Sequence, residues 1–555
     1  MEKTTNKSYR IGVVADFNPQ NLVVLLRKKS AECSEADYGQ TQRLLLDHND
    51  PFWAQGCDAL VLWTMPHLAV PAFQTVLGFG EVPVADLLAE VDAFCARVKK
   101  IPASVRTILI PSWVMPASDR GLGPMNLAHN FGPANLLMQM NLRLAEQLAT
   151  ERRVVLLDAT PWLLAGGAGN AKLWYMAKTP FATPVFQAAA TDVIAALDGI
   201  QGRARKLLIL DLDNTLWGGI LGDEGWEQLR LGGHDPVGEA YADFQRLLKR
   251  LTRRGIVLAI ASKNEESNAL NAIRSHPEMI LRTEDFAAWK INWNDKAANI
   301  AELVSGLNLG LDAAVFLDDS AFERTRVREA LPQVLVPDLP TDPLLYPAFL
   351  TDLKCFDNPF ISNEDRARTT MYVADRQRTA LQSEMGSLED WLAALELRVL
   401  IEPLAAANLE RATQLFNKTN QMNLTTRRLT AAELQAWVAD PEHYLWTFRV
   451  SDRFGDYGLC GIASLAQDGA SGRLSDFLLS CRVMSRGVEE TMLCAAAQKA
   501  QSLGCRELLA EYVPTPKNAP VEKWFAGQSK LRRTGQIFQL SLTGTVDFPR
   551  HVKTV

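Results

Sequence analysis

Two aspartates one residue apart, Asp211 and Asp213, close the apolar run Leu207 to Leu210 in the segment KLLILDLDNTLWGG. Alternate residues of an extended segment share a face, so both carboxylates can approach one reacting phosphorus. Ligands of an open α/β sheet sit at the carboxyl ends of its strands, and paired carboxylates there suit Mg²⁺ together with a phosphate. Asp211 is placed to attack phosphorus and form an aspartyl-phosphate. Asp213 is placed to protonate the leaving oxygen and later to deprotonate the hydrolytic water. Asn214 and Thr215 follow as candidate phosphate contacts.

This DxDxT arrangement resembles the haloacid dehalogenase (HAD) superfamily of phosphatases, and further parts follow in that superfamily's order. Ile256 to Ala261 reads as a second apolar strand ending in Ser262, Lys263 and Asn264, where the resemblance implies a hydroxyl on a phosphate oxygen. Lys296 in WNDKAANI opens a helix and would neutralise the aspartate and phosphate. Ala313 to Leu317 reads as a third strand, and Asp318 and Asp319 after it would complete the Mg²⁺ shell with Asp211 and the Asp213 carbonyl. A strand that ends in two aspartates is often only a capped turn. Four parts in this order are far more specific than any one of them.

The chain that must position these residues has 555 of them, enough for three or four domains. A net charge of −6, with no long basic run, argues against a nucleic-acid partner. The start, MEKTTNKSYRIGVVADFN, lacks the apolar core of a signal peptide, and no later stretch approaches the roughly 18 uninterrupted apolar residues of a membrane span. The expectation is a cytoplasmic protein with no membrane partner. Eight cysteines without a CxxC pair indicate neither a zinc site nor a disulfide framework.

Strand-like runs (IGVVADFN, ALVLWTM, VRTILIPSWV, VVLLDAT) alternate with amphipathic helices up to about residue 203. This pattern predicts a doubly wound parallel sheet, and it resembles the flavodoxin-like shape of SGNH-type esterases. Ala15 to Asn18 stands where the esterase nucleophile would be, so 1–203 reads as a docking or positioning domain, with Asp16 and Asn18 as turn caps or polar contacts. The phosphatase-like domain spans 204–345, with Pro337, Pro340 and Pro343 marking its exit. Residues 346–396 read as a linker whose charged helix is solvated.

Residues 397–555 order as strand, helix, polar loop, three strands, helix, strand and helix. Together with Arg482 to Gly487 (RVMSRG) between a strand and a helix, this resembles the GNAT-type acetyltransferase fold. There an RxxGxG/A loop offers backbone N–H groups at a helix N-terminus to a pantetheine-bearing cofactor, so Arg482, Arg486 and Gly487 are candidate phosphate contacts. Ser485 replaces the first glycine. Cys481 precedes the loop beside Arg482, a setting that lowers a thiol pKa below its free value of about 8.5, and it is the nucleophile candidate among the eight. The alternative is a small buried hydrophobe. Asn417, Lys418, Asn420, Gln421, Asn423, Arg427 and Arg428, joined by Lys517 and Asn518, form an amide and cation cluster suited to sugar and phosphate, or an ordinary hydrogen-bonded loop.

The order DLDNTLWGG, SKNEE, INWNDK, FLDDSAFER, NKTNQMNLTTRR, DRFGDYGLCGIA, SCRVMSRGVEE and YVPTPKN after an SGNH-like region resembles the FkbH-like proteins of polyketide biosynthesis. The resemblance implies acyl transfer from 1,3-bisphosphoglycerate to an enzyme thiol, removal of the 3-phosphate, and passage of D-glyceryl to the phosphopantetheine thiol of an acyl carrier protein. Cys481 would be the acyl-carrying thiol. Ser320 and Ala321 depart from the family's usual Asn-Pro, and Met422 from its usual Phe. Two other readings compete: a Mg²⁺ phosphatase fused to an N-acetyltransferase acting on an amine, and a non-catalytic scaffold that docks a carrier protein.

Overall fold

The computed structural model describes residues 9–29, 31–116, 121–166, 171–307, 309–361, 363–419, 421–515 and 518–555, and the statements below concern those residues. The chain resolves into two compact units, one holding residues 1–256, 261–280 and 292–366, the other 257–260, 281–291 and 367–555. No helix among the described residues is long and apolar enough to cross a membrane. The architecture is multi-domain α/β.

The first sheet is parallel, in the order β2-β1-β3-β4-β5, with β1 Tyr9–Ala15, β2 Ala31–Glu35, β3 Ala59–Trp63, β4 Thr107–Pro111 and β5 Val154–Leu157. Helices cover both faces. Leu60, Leu62 and Ile108 pack against Leu87, Val91 and Met140 on one side, while Ile11, Val13 and Val61 pack against Leu22, Leu26 and Phe186 on the other. Burial of both faces explains why the central strands read as unbroken apolar runs. Edge strand β2, AECSE, carries too little apolar sequence to be read as a strand. Asp16 is buried, and its Oδ2 accepts the Met65 N–H at 2.8 Å, while Asn18 Oδ1 accepts the Gln20 N–H at 3.1 Å. Both act as caps of the turns that follow β1 and β3.

The phosphatase-like sheet has the order β8-β7-β6-β9, with β6 Leu207–Leu210, β7 Val257–Ser262, β8 Phe286–Ile291 and β9 Ala314–Leu317. Strand β8, FAAWKI, was not anticipated from the sequence. The register of β6 on β9 runs from Leu207 opposite Ala314 to Leu210 opposite Leu317. The next residues, Asp211 and Asp318, are therefore neighbours. Gly199 is held against the segment after residue 355, where an added Cβ would lie 2.7 Å from the Asp357 carbonyl oxygen.

The third sheet has nine strands: β10 Leu397–Pro403, β11 Met422–Asn423, β12 His443–Asp452, β13 Gly455–Asp468, β14 Ser471–Leu479, β15 Glu507–Glu511, β16 Leu531–Thr534, β17 Ile537–Ser541 and β18 Val552–Thr554. Its path is β16-β17-β15-β14-β13-β12-β10-β18, with β11 paired to β14. Strands β14 and β15 run parallel only as far as Leu474 opposite Ala510. Beyond that point the stretch expected to be a polar loop lies beside β14: Asn423 pairs Leu478, the Leu424 N–H donates to Phe477 O, and Leu424 O accepts the Val513 N–H.

The helix Asn363–Glu384 corrects the expectation of a solvated linker. Arg378 on it is buried and forms a bidentate pair with Asp452 at 2.6 and 2.8 Å, beside Asp375 at 2.9 Å and over the Tyr457 ring at 4.3 Å. Arg376 donates to Phe286 O at 2.6 Å and lies 4.3 Å from the Trp289 ring centre. A charged sequence pattern marks a solvated face only when no buried partner awaits it.

Candidate active site

Strand ends β6, β7 and β9 bring together Asp211, Asp213, Ser262, Asn264, Lys296, Asp318 and Asp319. Asp295 caps the helix Lys296–Gly306 by accepting the Ala298 N–H, which fixes where Lys296 begins. The Lys296 ammonium is 3 % exposed and lies 2.6 Å from Asp318 Oδ2 and 3.0 Å from Asp211 Oδ1. Burial works against that ammonium, but the charges of Asp211 and Asp318 outweigh it and hold its pKa above the usual value. Burial raises Asp318, with the Asp211 charge adding and Lys296 opposing. Asp319 is raised for the same two reasons.

Oxygens of Asp211, Asp318 and Asp319 all lie within 4.8 Å of one another. Asp211 Oδ1 is buried and carries no hydrogen bond, with the Lys296 ammonium 3.0 Å away as its ion-pair partner. Three hard oxygen donors, one with open lone pairs in a dry setting, fit a small divalent cation. The Asp213 side chain stands apart from this cluster. Its Oδ1 accepts the Trp217 indole N–H at 3.0 Å and the Leu221 N–H at 3.1 Å, and its Oδ2 accepts Asn264 Nδ2–H at 3.0 Å. Burial raises its pKa against those donors, the direction an acid–base group requires. Trp217 was not singled out from the sequence; nothing in a buried tryptophan marks it as a carboxylate orienter.

Several anticipated phosphate contacts have other duties. Asn214 sits at φ +51°, its Oδ1 accepts the Gly219 N–H, and its main-chain oxygen accepts the hydroxyls of Tyr241 and Tyr346. Thr215 is fully buried, and its Oγ1 accepts the Asp319 N–H at 3.1 Å, which ties the two aspartate loops together. Lys263 donates to Glu323 at 2.7 Å. These three shape the site through its loops. Ser262, 1 % exposed, does face the Asn264 amide at 3.3 Å.

In the second unit the expected binding cluster is largely a set of internal locks. Asn518 donates to Asn423 O at 3.0 Å and Val513 O at 2.9 Å, and accepts from Thr515 N–H and the Tyr512 hydroxyl. Asn423 donates to Thr419 O and accepts the Thr426 N–H. Arg427 is held by Asp476, and Asn417 and Arg428 by main-chain carbonyls. Both amides of the Asn423 and Asn518 pair are buried, so the expectation of substrate contact there is corrected to one of positioning β11. Gln421 remains exposed, while Asn420 and Lys517 lie outside the described residues.

Around the loop 482–487, Arg482 donates to Ser480 Oγ at 3.3 Å and contacts Met371 Sδ. Arg486 donates to the Tyr457 hydroxyl and pairs with Asp375 at 3.5 Å. Both arginines are thus engaged by the protein. Ser485 adopts φ +62°, the conformation for which a glycine was expected, at a strain on the order of 1 kcal/mol. Gly487, at φ +84°, begins the helix Val488–Ser502, and a Cβ there would meet His551 Nε2 at 2.4 Å. Cys481 opens the one-turn helix Cys481–Val483; its side chain lies outside the described residues.

Glu489, missed in the sequence, is 1 % exposed, with one oxygen accepting the Ser485 N–H at 2.7 Å and the other buried without a partner. Burial pushes its pKa up to about 7. A carboxyl raised on folding binds its proton more tightly in the native state, so native stability falls as pH climbs from about 4 through 7. Glu489→Gln is expected to remove that slope and to stabilise the protein at pH 8 by up to about 3 kcal/mol, read from urea unfolding at pH 5 and pH 8. Parallel slopes in the two proteins would refute the assignment.

No family model matches the sequence, and no curated protein does. Among solved structures, the crystal structure of the N-terminal part of BF1531 from Bacteroides fragilis, containing a phosphatase domain and complexed with Mg, superposes with a TM-score of 0.57 at 25 % identity. It covers 65 % of this chain and 96 % of its own. The ribosomal-protein-S18-alanine N-acetyltransferase of Escherichia coli covers 26 % of this chain and 96 % of its own at 12 % identity and a TM-score of 0.20. A GNAT-family acetyltransferase of Staphylococcus aureus Mu50 covers 26 % and 99 % at 7 % identity and a TM-score of 0.21.

Proposed function

We propose that the chain is a bifunctional glyceryl transferase and Mg²⁺-dependent phosphatase of the FkbH-like kind, acting on 1,3-bisphosphoglycerate and an acyl carrier protein. The observation that carries it is the phosphatase centre: Asp211 and Asp213 at one strand end, Asp318 and Asp319 at the neighbouring one, and Lys296 between Asp211 and Asp318. Likeness to the Mg-complexed phosphatase-domain structure supports the phosphatase half of this reading.

In the phosphatase half, an Asp211 carboxylate oxygen attacks phosphorus while the bond to the sugar-acid oxygen breaks. Asp213, fixed by Trp217, Leu221 and Asn264, gives that oxygen its proton. Asp213 then takes a proton from the water that releases inorganic phosphate and restores Asp211. Lys296 offsets negative charge on Asp211 and the phosphoryl oxygens throughout. Mg²⁺ held by Asp211, Asp318 and Asp319, with the Asp213 carbonyl, would supply further neutralisation of the phosphoryl charge. Stripping the protein with EDTA is expected to abolish phosphate release, and Mg²⁺ to restore it.

In the transferase half, the Cys481 thiolate attacks the acyl carbon of 1,3-bisphosphoglycerate and the 1-phosphate leaves. An acyl-phosphate is already activated, so the step needs no ATP. The carrier's pantetheine sulfur, attacking as its thiolate, then takes the glyceryl group and Cys481 leaves as thiolate. Incubation of Cys481→Ala with 1,3-bisphosphoglycerate is expected to show no covalent adduct by intact mass, whereas wild type shows one. An adduct that persists would move the nucleophile elsewhere. A second reading, amine acetylation, is favoured by the left-handed turn kept at Ser485 and Gly487 ahead of the helix. Acetyl-CoA turnover without carrier protein would select it.

A further inference from the structure

A cavity of about 470 Å³ opens at the amino ends of β6 and β9, between the first sheet's helix Thr183–Ile200 and the segments flanking those strands. Its wall is rich in cations whose charges are incompletely matched. Arg205, half-buried, donates through one nitrogen to the main-chain oxygens of Asp312, Ala314 and Gln333. All three acceptors are neutral, and no carboxylate lies within ion-pair distance of Arg205 among the described residues. Burial lowers its pKa, and Cys355, Asp312 and Asp198 oppose that shift without cancelling it. Lys29 adds a second cation, and Lys354 a third, which pairs loosely with Asp192 at 3.8 Å.

Two carboxylates, Asp198 and Asp312, share this wall with the four cations Lys29, Arg203, Arg205 and Lys354. Asp198 is already engaged by the Tyr9 hydroxyl at 2.6 Å and by Arg203 at 3.0 Å. Burial pushes the Cys355 thiol up to about 12, so it stays neutral at physiological pH. A half-buried guanidinium with two ammonium groups around one hollow matches a dianion better than a monoanion, and a guanidinium fork fits phosphate geometry. The volume lies in the range of small-molecule sites, about 300–1,000 Å³.

We infer that this cavity binds a phosphate-bearing small molecule, held by Arg205, Lys29 and Lys354. The site is separate from the phosphatase centre: β6 and β9 are four residues long, so at about 3.3 Å per residue the two lie some 13 Å apart, at opposite ends of the same strands. It does not depend on the reading of either catalytic half.

The test is calorimetric titration of inorganic phosphate into full-length, EDTA-treated protein, in which the three carboxylates of the phosphatase centre, with Lys296 as their one paired cation, disfavour phosphate. Wild type is expected to bind one phosphate per chain, with acetate weaker by roughly tenfold or more. Lys29→Gln/Lys354→Gln should weaken phosphate by about tenfold or more while leaving Mg²⁺-dependent phosphate release at its wild-type rate. No binding by wild type at millimolar phosphate would overturn the inference. So would equal affinity in the double variant, or acetate binding as tightly as phosphate.

Discussion

Asp211→Asn is expected to lose phosphate release by about four orders of magnitude or more, the scale on which removal of a catalytic nucleophile acts. The amide keeps the shape of the side chain but neither attacks phosphorus nor attracts Lys296. The fold should persist, because Lys296 retains Asp318 at 2.6 Å and the β6 to β9 register is a main-chain property. Under the bifunctional reading the variant, given 1,3-bisphosphoglycerate, accumulates the acyl adduct with its phosphate still attached. Intact mass distinguishes it from the dephosphorylated adduct of wild type. Phosphate release near the wild-type rate would remove Asp211 from the mechanism, and the scaffold reading would gain if wild type released none.

Arg378→Met should destabilise the second unit by about 3–5 kcal/mol, the cost of stripping one partner from a buried ion pair. Asp452 would keep the N–H groups of Phe454 and Gly455 and the Tyr457 hydroxyl, but lose its bidentate counter-charge. Burial works against the Asp452 carboxylate, and Arg378 outweighs it, so the native pKa lies below the usual range. The stability that this pair contributes is therefore present above about pH 4 and is lost as pH falls through the native pKa. The gap between variant and wild type should narrow in acid. Urea unfolding followed by tryptophan fluorescence is well suited, since the Trp391 indole donates to Arg378 O. Adding Asp452→Leu to Arg378→Met should recover much of the loss. A single variant within about 1 kcal/mol of wild type would show the pair to be dispensable.

The central strands of the first two sheets were readable because burial on both faces leaves continuous apolar runs, as in LLIL and VLAIA. Edge strand β2 was not, since AECSE exposes one side and loses the apolar signature. Strand β11 was hidden for a different reason. Two residues, Met422 and Asn423, are too short for any period to show, and their place beside β14 is held by Asn518, 95 residues away in the chain. The amide cluster looked like a ligand site because asparagines that lock a fold and asparagines that bind a sugar have the same composition.

By itself the sequence determined the types of group and their order: carboxylates after β6, hydroxyl and amide after β7, a lysine at a helix start, and a second aspartate pair after β9. These are local properties, set by strand periodicity and turn chemistry. Tertiary structure alone decided which of them meet. The register of β6 on β9 sets Asp211 beside Asp318, Asn264 reaches Asp213 across 51 residues, and Arg378 finds Asp452 across 74. Such pairings depend on which strands adjoin and how far a side chain reaches, and neither quantity is encoded within any one window of sequence.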